Sequence, residues 1–440
     1  MLEHYINKYK ERTRLSEKEF NRAKNIFVNG INHNIRYFEP YPFFTIKAKG
    51  KYLYDIDNNI YTDYWMGHWS LILGHAHEYV VERVREQANN GTIYGTANKV
   101  SLDLAEFINK LIPRAELIRF ANTGAEVTMY AVRLARAYTR KRYIIKIDGG
   151  WHGFNTDLLN AVNYPFESEG LGLLEEDTKY VKSIPYNDTF AIKGLDSIKD
   201  DIACIIVEPF LGSGGSIPGE RDYLKSLEEY AKSNNILFIL DEIVTAFRFR
   251  LGSMHDMLGL DPDLITLGKI VGGGLPIGIL SGKKEIMQLA SPTLPIARRC
   301  NIGGGTFSAN PLTMVAGLAT LEYLKDHLSI YDKLNRLGNL VRSEIDKIMQ
   351  SNNIRTETTG FGSLFLTHFP SDNIDHIKNA RDASLCNTKL QKLYHLALMC
   401  HNIFFLPSKL GAISIMHDDE DIKELLKATE VIAQEYNYLL

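Results

Sequence analysis

Four short stretches of the chain, 143–147, 202–207, 236–240 and 264–267, are rich in β-branched residues and run apolar rather than alternating with polar positions. That pattern predicts strands covered on both faces. Between them lie stretches with helical spacing. Residues 127–140 carry Met129, Val132, Leu134 and Ala137, and residues 222–234 carry Leu224 and Leu227. Strands alternating with helices predict an α/β domain around a mostly parallel sheet. Upstream the pattern differs. Residues 16–29 predict a helix that Gly30 stops, followed by an irregular stretch through Pro40 and Pro42. The runs 43–48, 52–55 and 60–64, with turns at Lys49-Gly50 and Asp57-Asn58-Asn59, predict an antiparallel meander. A helix over 312–327 leads into a C-terminal part that mixes helices with short strands at 363–368 and 412–415. The organisation expected is a large domain over 66–320, with an N-terminal segment, 1–65, packed against a smaller α+β lobe over 321–440.

Composition narrows the partners. A chain of 440 residues buries a large core without disulfides or metals. The net charge of −3 is spread along the chain, which argues against nucleic acid. Cys204, Cys300, Cys386 and Cys400 lack metal-ligand spacing, so no metal is expected, and Cys204 inside an apolar run reads as a small buried thiol. The charged N-terminus lacks the apolar core of a signal peptide, and no stretch approaches 18 uncharged apolar residues. A cytoplasmic protein with no membrane partner is the expectation.

Ligands of open α/β sheets bind at the carboxyl ends of the strands, so the residues after each apolar run are candidates for chemistry. The run 202–207 ends in Glu208, 236–240 ends in Asp241-Glu242, and 264–267 ends in Gly268-Lys269. Any one of them reads as a strand-end polar group or a helix cap; two carboxylates and a lysine on one edge read as a site. Lys269 leaves an apolar strand and meets three successive glycines, Gly272 to Gly274, which permit positive φ and close backbone approach. A desolvated lysine there can act as a Schiff-base nucleophile. A nucleotide P-loop is excluded, because Ile270 rather than Ser or Thr follows the lysine. Asp241, after five apolar residues, suits a buried carboxylate that keeps a pyridine nitrogen protonated, with Ile243 able to pack on the ring. The stretch Phe120-Ala-Asn-Thr-Gly-Ala-Glu126 offers a helix start for a phosphate, or a simple N-cap. Trp151 and His152, in Gly149-Gly-Trp-His-Gly153, offer a ring for stacking, or core packing.

Read in order, these pieces resemble the class III aminotransferases of pyridoxal-5′-phosphate (PLP) fold type I, especially the branch containing glutamate-1-semialdehyde aminomutase. The strongest stretches are Asp241-Glu-Ile-Val-Thr-Ala-Phe-Arg248 and Leu267-Gly-Lys-Ile-Val-Gly-Gly-Gly274. The resemblance implies PLP as cofactor, Lys269 as the Schiff-base lysine and Asp241 as the partner of the ring nitrogen. Thr123, Gly124 and Ala125 match the phosphate turn, Trp151 the stacking aromatic, and His152, Glu208 and Ile243 further cofactor contacts. Thr306, in Gly304-Gly-Thr-Phe-Ser-Ala-Asn-Pro311, matches a threonine that reaches the phosphate of the neighbouring subunit, which implies a homodimer with shared active sites. Arg36 matches an arginine that holds the substrate carboxylate, against the alternative of a surface loop residue.

Departures bear on the reaction. Ala125 lacks the hydroxyl that the family's phosphate turn carries. The segment 157–170 lacks the Gly/Ser-rich gating loop of the aminomutase, and 210–218 is more similar to β-amino-acid aminotransferases. Gly67-His-Trp-Ser70 replaces a Gly-Pro pattern, so His68 and Trp69 either shape the substrate pocket or pack against a partner subunit. The reading these departures favour is a ping-pong aminotransferase between a carboxylate-bearing amino acid, β-amino acids included, and a keto acid or aldehyde. The alternatives are an intramolecular aminomutase or a racemase. A PLP-fold binding subunit without turnover is remote, since both Lys269 and Asp241 are present.

Overall fold

Residues 2–167 and 169–439 are described by a computed structural model. One unit comprises Glu78–Tyr331 and Ile377–Ser384. Its frame is a sheet of seven strands: β1 (Leu117–Ala121), β2 (Tyr143–Ile147), β3 (Val181–Ile184), β4 (Ile202–Val207), β5 (Leu237–Asp241), β6 (Leu264–Gly268) and β7 (Gly278–Gly282). Across the sheet the order is β1-β7-β6-β5-β4-β2-β3. The pairs from β6 through β3 are parallel, while β7 runs antiparallel to both β6 and β1. Every residue of β4, β5 and β6 is buried, as the unbroken apolar runs require. The helix Gly124–Thr139 covers this sheet; Val127, Ala131 and Leu134 share a core with Ile144, Ile206, Ile239 and Leu264. Each large side chain so buried contributes roughly 1.5–3 kcal/mol.

That helix starts three residues before the predicted 127. Thr123 accepts from Glu126 N–H at 3.2 Å, and the Glu126 carboxylate takes Asn122 N–H and Thr123 N–H, both at 2.9 Å. Thr-Gly-Ala-Glu is therefore a capping box, which turns Gly124 and Ala125 into the first helical residues. The N-terminal helix over 16–29 is also revised. The structure has one helix over Leu2–Arg12, a second over Arg14–Ala23, and turns after it. Asp57 makes the break at Thr13: its carboxylate accepts Leu15 N–H at 2.6 Å and Ser16 N–H at 2.9 Å, doing the capping that Thr13 does not.

The second unit gathers Met1–His77, Asp332–His376 and Leu385–Leu440. The expected meander forms from Thr45–Lys49, Tyr52–Asp55 and Ile60–Asp63, and a fourth strand, Ile403–Phe404, joins it in parallel. A separate antiparallel sheet holds Glu357–Phe361, Leu364–His368 and Gly411–Ala412. Both main boundaries fall later than the sequence pattern places them. Helix Pro311–Asp326 packs on Glu78–Asn89 and Lys99–Leu111, which draws it and the residues to Tyr331 into the large unit. Residues 66–77 stay with the smaller one, since Ile415 N–H donates to Ile72 O at 2.9 Å.

Within residues 66–77 the backbone makes an unusual turn. Met66, Gly67, His68 and Trp69 have φ of 45°, 57°, 59° and 66°, a left-handed turn that costs about 1–2 kcal/mol per non-glycine residue. Asp63 holds its start, accepting Trp65 N–H at 2.7 Å and Met66 N–H at 3.1 Å, with the His75 ring on the same carboxylate at 2.7 Å. Among the described residues no helix is long and apolar enough to cross a membrane, and no cluster of metal-ligand type occurs.

Candidate active site

Three sequence-predicted groups meet at the carboxyl ends of β4, β5 and β6. Asp241, the last residue of β5, is 3 % exposed. One carboxylate oxygen accepts the Thr266 hydroxyl at 2.8 Å and Ile243 N–H at 3.2 Å; the other lies 2.7 Å from His152 Nδ1. Glu208 follows β4 and is also buried, accepting Trp151 N–H at 2.9 Å and Gly212 N–H at 3.3 Å. Burial, with Asp241 nearby adding repulsion, pushes the Glu208 carboxyl up to about 8. Lys269 follows β6 with φ at +50°, a left-handed conformation that a non-glycine residue holds only where its surroundings impose it. Desolvation lowers its ammonium pKa, against the opposing pull of Asp241 and Glu208, and Arg248 lowers it further. A lysine so placed is poised to lose its proton and act as a nucleophile.

Glu242, beside Asp241 in sequence, points elsewhere. Its carboxylate accepts Met254 N–H at 2.7 Å and the Thr245 hydroxyl at 3.1 Å, so it is a structural cap. Ile243 packs between two backbones. A Cβ on Gly124 would lie 2.6 Å from its Cδ1, and one on Gly268 would lie 3.1 Å from its Cγ2. Trp151 is half-buried, edge-on to Phe154 with ring centroids 4.8 Å apart. His152 is 1 % exposed, and its Nε2 has no hydrogen-bond partner among the described residues. Burial lowers the pKa of this imidazole in spite of the Asp241 carboxylate.

The donor set fits PLP. Among the described residues, Gly124 N–H and Ala125 N–H at the start of the helix have no acceptor, which suits a phosphate. Lys269 suits the aldehyde carbon, and the buried Asp241 suits a protonated ring nitrogen. Three further predicted residues have surroundings of their own. Thr306 is exposed, next to Gly305, at which a Cβ would lie 2.9 Å from Asn122 Nδ2 of the same chain. Arg36 belongs to the other unit, is exposed and donates to Asn32 Oδ1 at 2.9 Å. Trp69 is buried in that unit with its indole N–H on Leu410 O at 2.9 Å, so its polar edge is committed to packing within its own chain.

Sequence reasoning missed Glu126, whose carboxylate shapes the Thr123 turn, although Thr-x-x-Glu is a readable capping box. It also missed Thr128, Lys146 and Arg248. Thr128 donates to His152 O, Arg248 is fully buried beside the site, and Lys146 lies beneath the loop that follows β2.

Residues 36–399 match the sequence pattern of the aminotransferase class-III family. The chain belongs to the class-III aminotransferases. It is an enzyme whose cofactor is PLP, and its large unit has the fold type I of that group. It is 38% identical over 423 residues, 94% of this chain and 97% of the relative, to a protein from Methanocaldococcus jannaschii named glutamate-1-semialdehyde 2,1-aminomutase. Among solved structures, a β-phenylalanine aminotransferase from Variovorax paradoxus superposes with a TM-score of 0.89 at 26% identity, covering 100% of this chain and 98% of the other. An ω-transaminase from Sphaerobacter thermophilus superposes at 0.87 with 28% identity, covering 95% and 97%.

Proposed function

We propose that this class-III aminotransferase works as an aminomutase of the glutamate-1-semialdehyde 2,1 type, moving an amino group between neighbouring carbons of one small carboxylate-bearing molecule. The observation that carries this reading is 38% identity sustained over 94% of the chain to a relative of that name. It reverses the preference for intermolecular transfer that the sequence departures favoured. Bound PLP supplies an electron sink for the carbon that gives up its proton. Lys269 holds the aldehyde carbon and, as a neutral amine, takes and returns the substrate proton at Nζ. Asp241 keeps the ring nitrogen protonated, and His152 fixes the Asp241 carboxylate from its other side. Thr123, Gly124 and Ala125 hold the phosphate, and Ile243 and Trp151 flank the ring. Glu208, carrying its proton at neutral pH, offers a donor at the same edge. Arg36 takes the substrate carboxylate, and Thr306 reaches the phosphate of the neighbouring subunit in a homodimer.

The test supplies the purified, cofactor-loaded enzyme with glutamate-1-semialdehyde and no other amine or keto acid. Catalytic conversion to the isomer with the amino group on carbon 1 supports the aminomutase. A second reading, aminotransfer between two molecules, is favoured by the segment 157–170, which has no Gly/Ser-rich stretch. Strict dependence on an added acceptor, with one keto product per amine consumed, would establish that reading instead.

A further inference from the structure

The three residues Gly150, Trp151 and His152 are each held by a side chain from a different part of the fold. Glu208 takes Trp151 N–H, Asp241 takes the His152 ring, and Thr128 donates to His152 O. The fourth anchor is Lys146, the penultimate residue of β2 and 0% exposed. Its ammonium donates to Gly150 O at 3.0 Å, to Leu158 O at 3.0 Å and to Asn160 O. An ammonium has three donors and no acceptor, so its capacity is filled.

A cation in this place needs a reason. Glu208, Glu169 and Asp148 favour the charge from a distance, yet burial outweighs them, and a buried charge is costly. An aliphatic residue would suit an interior strand better. Its hydrogen bonds are confined to one segment: the acceptors are all carbonyls of the loop after β2, and residues 149–163 contain no helix or strand. Gly150 stands at the near limb of that loop, Leu158 and Asn160 on the returning limb. One ammonium therefore ties the two limbs together at the residue before Trp151.

We infer that Lys146 is a positioning residue of the cofactor site, fixing Trp151 and His152 for their contact with PLP by stapling both limbs of the 150–160 loop. The inference rests on the assignment of Trp151 and His152 to the cofactor. Burial lowers its pKa to about 8, so at neutral pH the ammonium, with all three donors, prevails.

The test compares cofactor-free wild type with Lys146→Met, Lys146→Arg and Trp151→Ala. Two quantities are read: the PLP dissociation constant from visible absorbance, and amide hydrogen exchange of residues 149–163 against that of β4. Lys146→Met is expected to weaken PLP roughly tenfold or more, the scale of losing one hydrogen bond or two. Exchange in 149–163 is expected to rise while β4 stays protected. Lys146→Arg, which keeps the charge and its donors, is expected to recover part of both losses. A folded Lys146→Met protein with wild-type PLP affinity and wild-type exchange in the loop overturns the inference. If Lys146→Met does not fold, Lys146→Gln, which keeps two donors, is read by the same two measurements and the same criterion. The cofactor assignment fails separately, by Trp151→Ala binding PLP as wild type does. Weakened binding in Trp151→Ala beside unchanged Lys146→Met refutes the role of Lys146 alone.

Discussion

Asp241 is engaged by three protein groups at once, the Thr266 hydroxyl, Ile243 N–H and the His152 ring. An asparagine there keeps an acceptor for the first two but carries no charge for a ring nitrogen. Asp241→Asn is expected to stay folded while turnover falls at least about a hundredfold, the scale of losing one preorganised electrostatic contact; kcat beside a thermal melt checks it. Glu208 makes a different demand. Its folded pKa is raised to about 8 from the ordinary carboxyl value, so between those limits the folded state holds a proton that the unfolded chain has lost. The contribution of this one group to stability is then fullest at low pH and declines as pH rises toward 8. Glu208→Gln keeps the acceptor for Trp151 N–H and is expected to flatten that decline in melts taken from pH 5 to 8. Lys269, Asp241 and Glu208 were legible in the sequence because each ends an apolar run. Lys146 was not, because a lone lysine inside such a run carries no sign of whether its head reaches water or carbonyls.

Strands β2, β4, β5 and β6 and the helix after β1 were readable from periodicity; β3 was not, and two more, β1 and β7, escaped it. The first carries Arg119 and is only partly buried; the second is five residues long and starts and ends in glycine. Yet β7 governs the site. A Cβ on Gly278 would lie 2.1 Å from Thr123 O, so the backbone of β7 presses directly on the turn that opens the helix. Gly278→Ala is expected to push that turn outward, weakening PLP at least about tenfold, since a shift of this kind removes the alignment of the Gly124 and Ala125 N–H groups. Cofactor titration of the variant gives the answer, and retained far-ultraviolet circular dichroism shows that the sheet survives.

Acid acts on the smaller unit through two buried histidines. His395 and His417 are fully buried in it, and each accepts a backbone N–H through Nδ1, from Ser408 at 3.1 Å and from Ser414 at 3.0 Å. Burial drops both to about 3, well below the unfolded value. Their neutral forms support the fold fully above the unfolded pKa, and that support is lost as pH falls from there toward 3. At pH 5 the loss comes to roughly 2 kcal/mol for each histidine. Compared at pH 7.5 and pH 5, His395→Leu should lose less stability in acid than the wild type does, which thermal melts check. The division into units was legible only in outline, because the sequence does not reveal that Ile60–Asp63 takes a neighbour from Ile403–Phe404.

That pairing sets a schedule for synthesis. A ribosome adds about 5–20 residues per second, so tens of seconds pass between the emergence of the first strand and that of its partner. The large sheet is complete once β7 has appeared, well before Ile403. During the interval the meander shows an open strand edge, the kind of surface that recruits other nascent chains. The meander is thus closed by a strand made long after it, and the cell must keep that edge unaggregated until then.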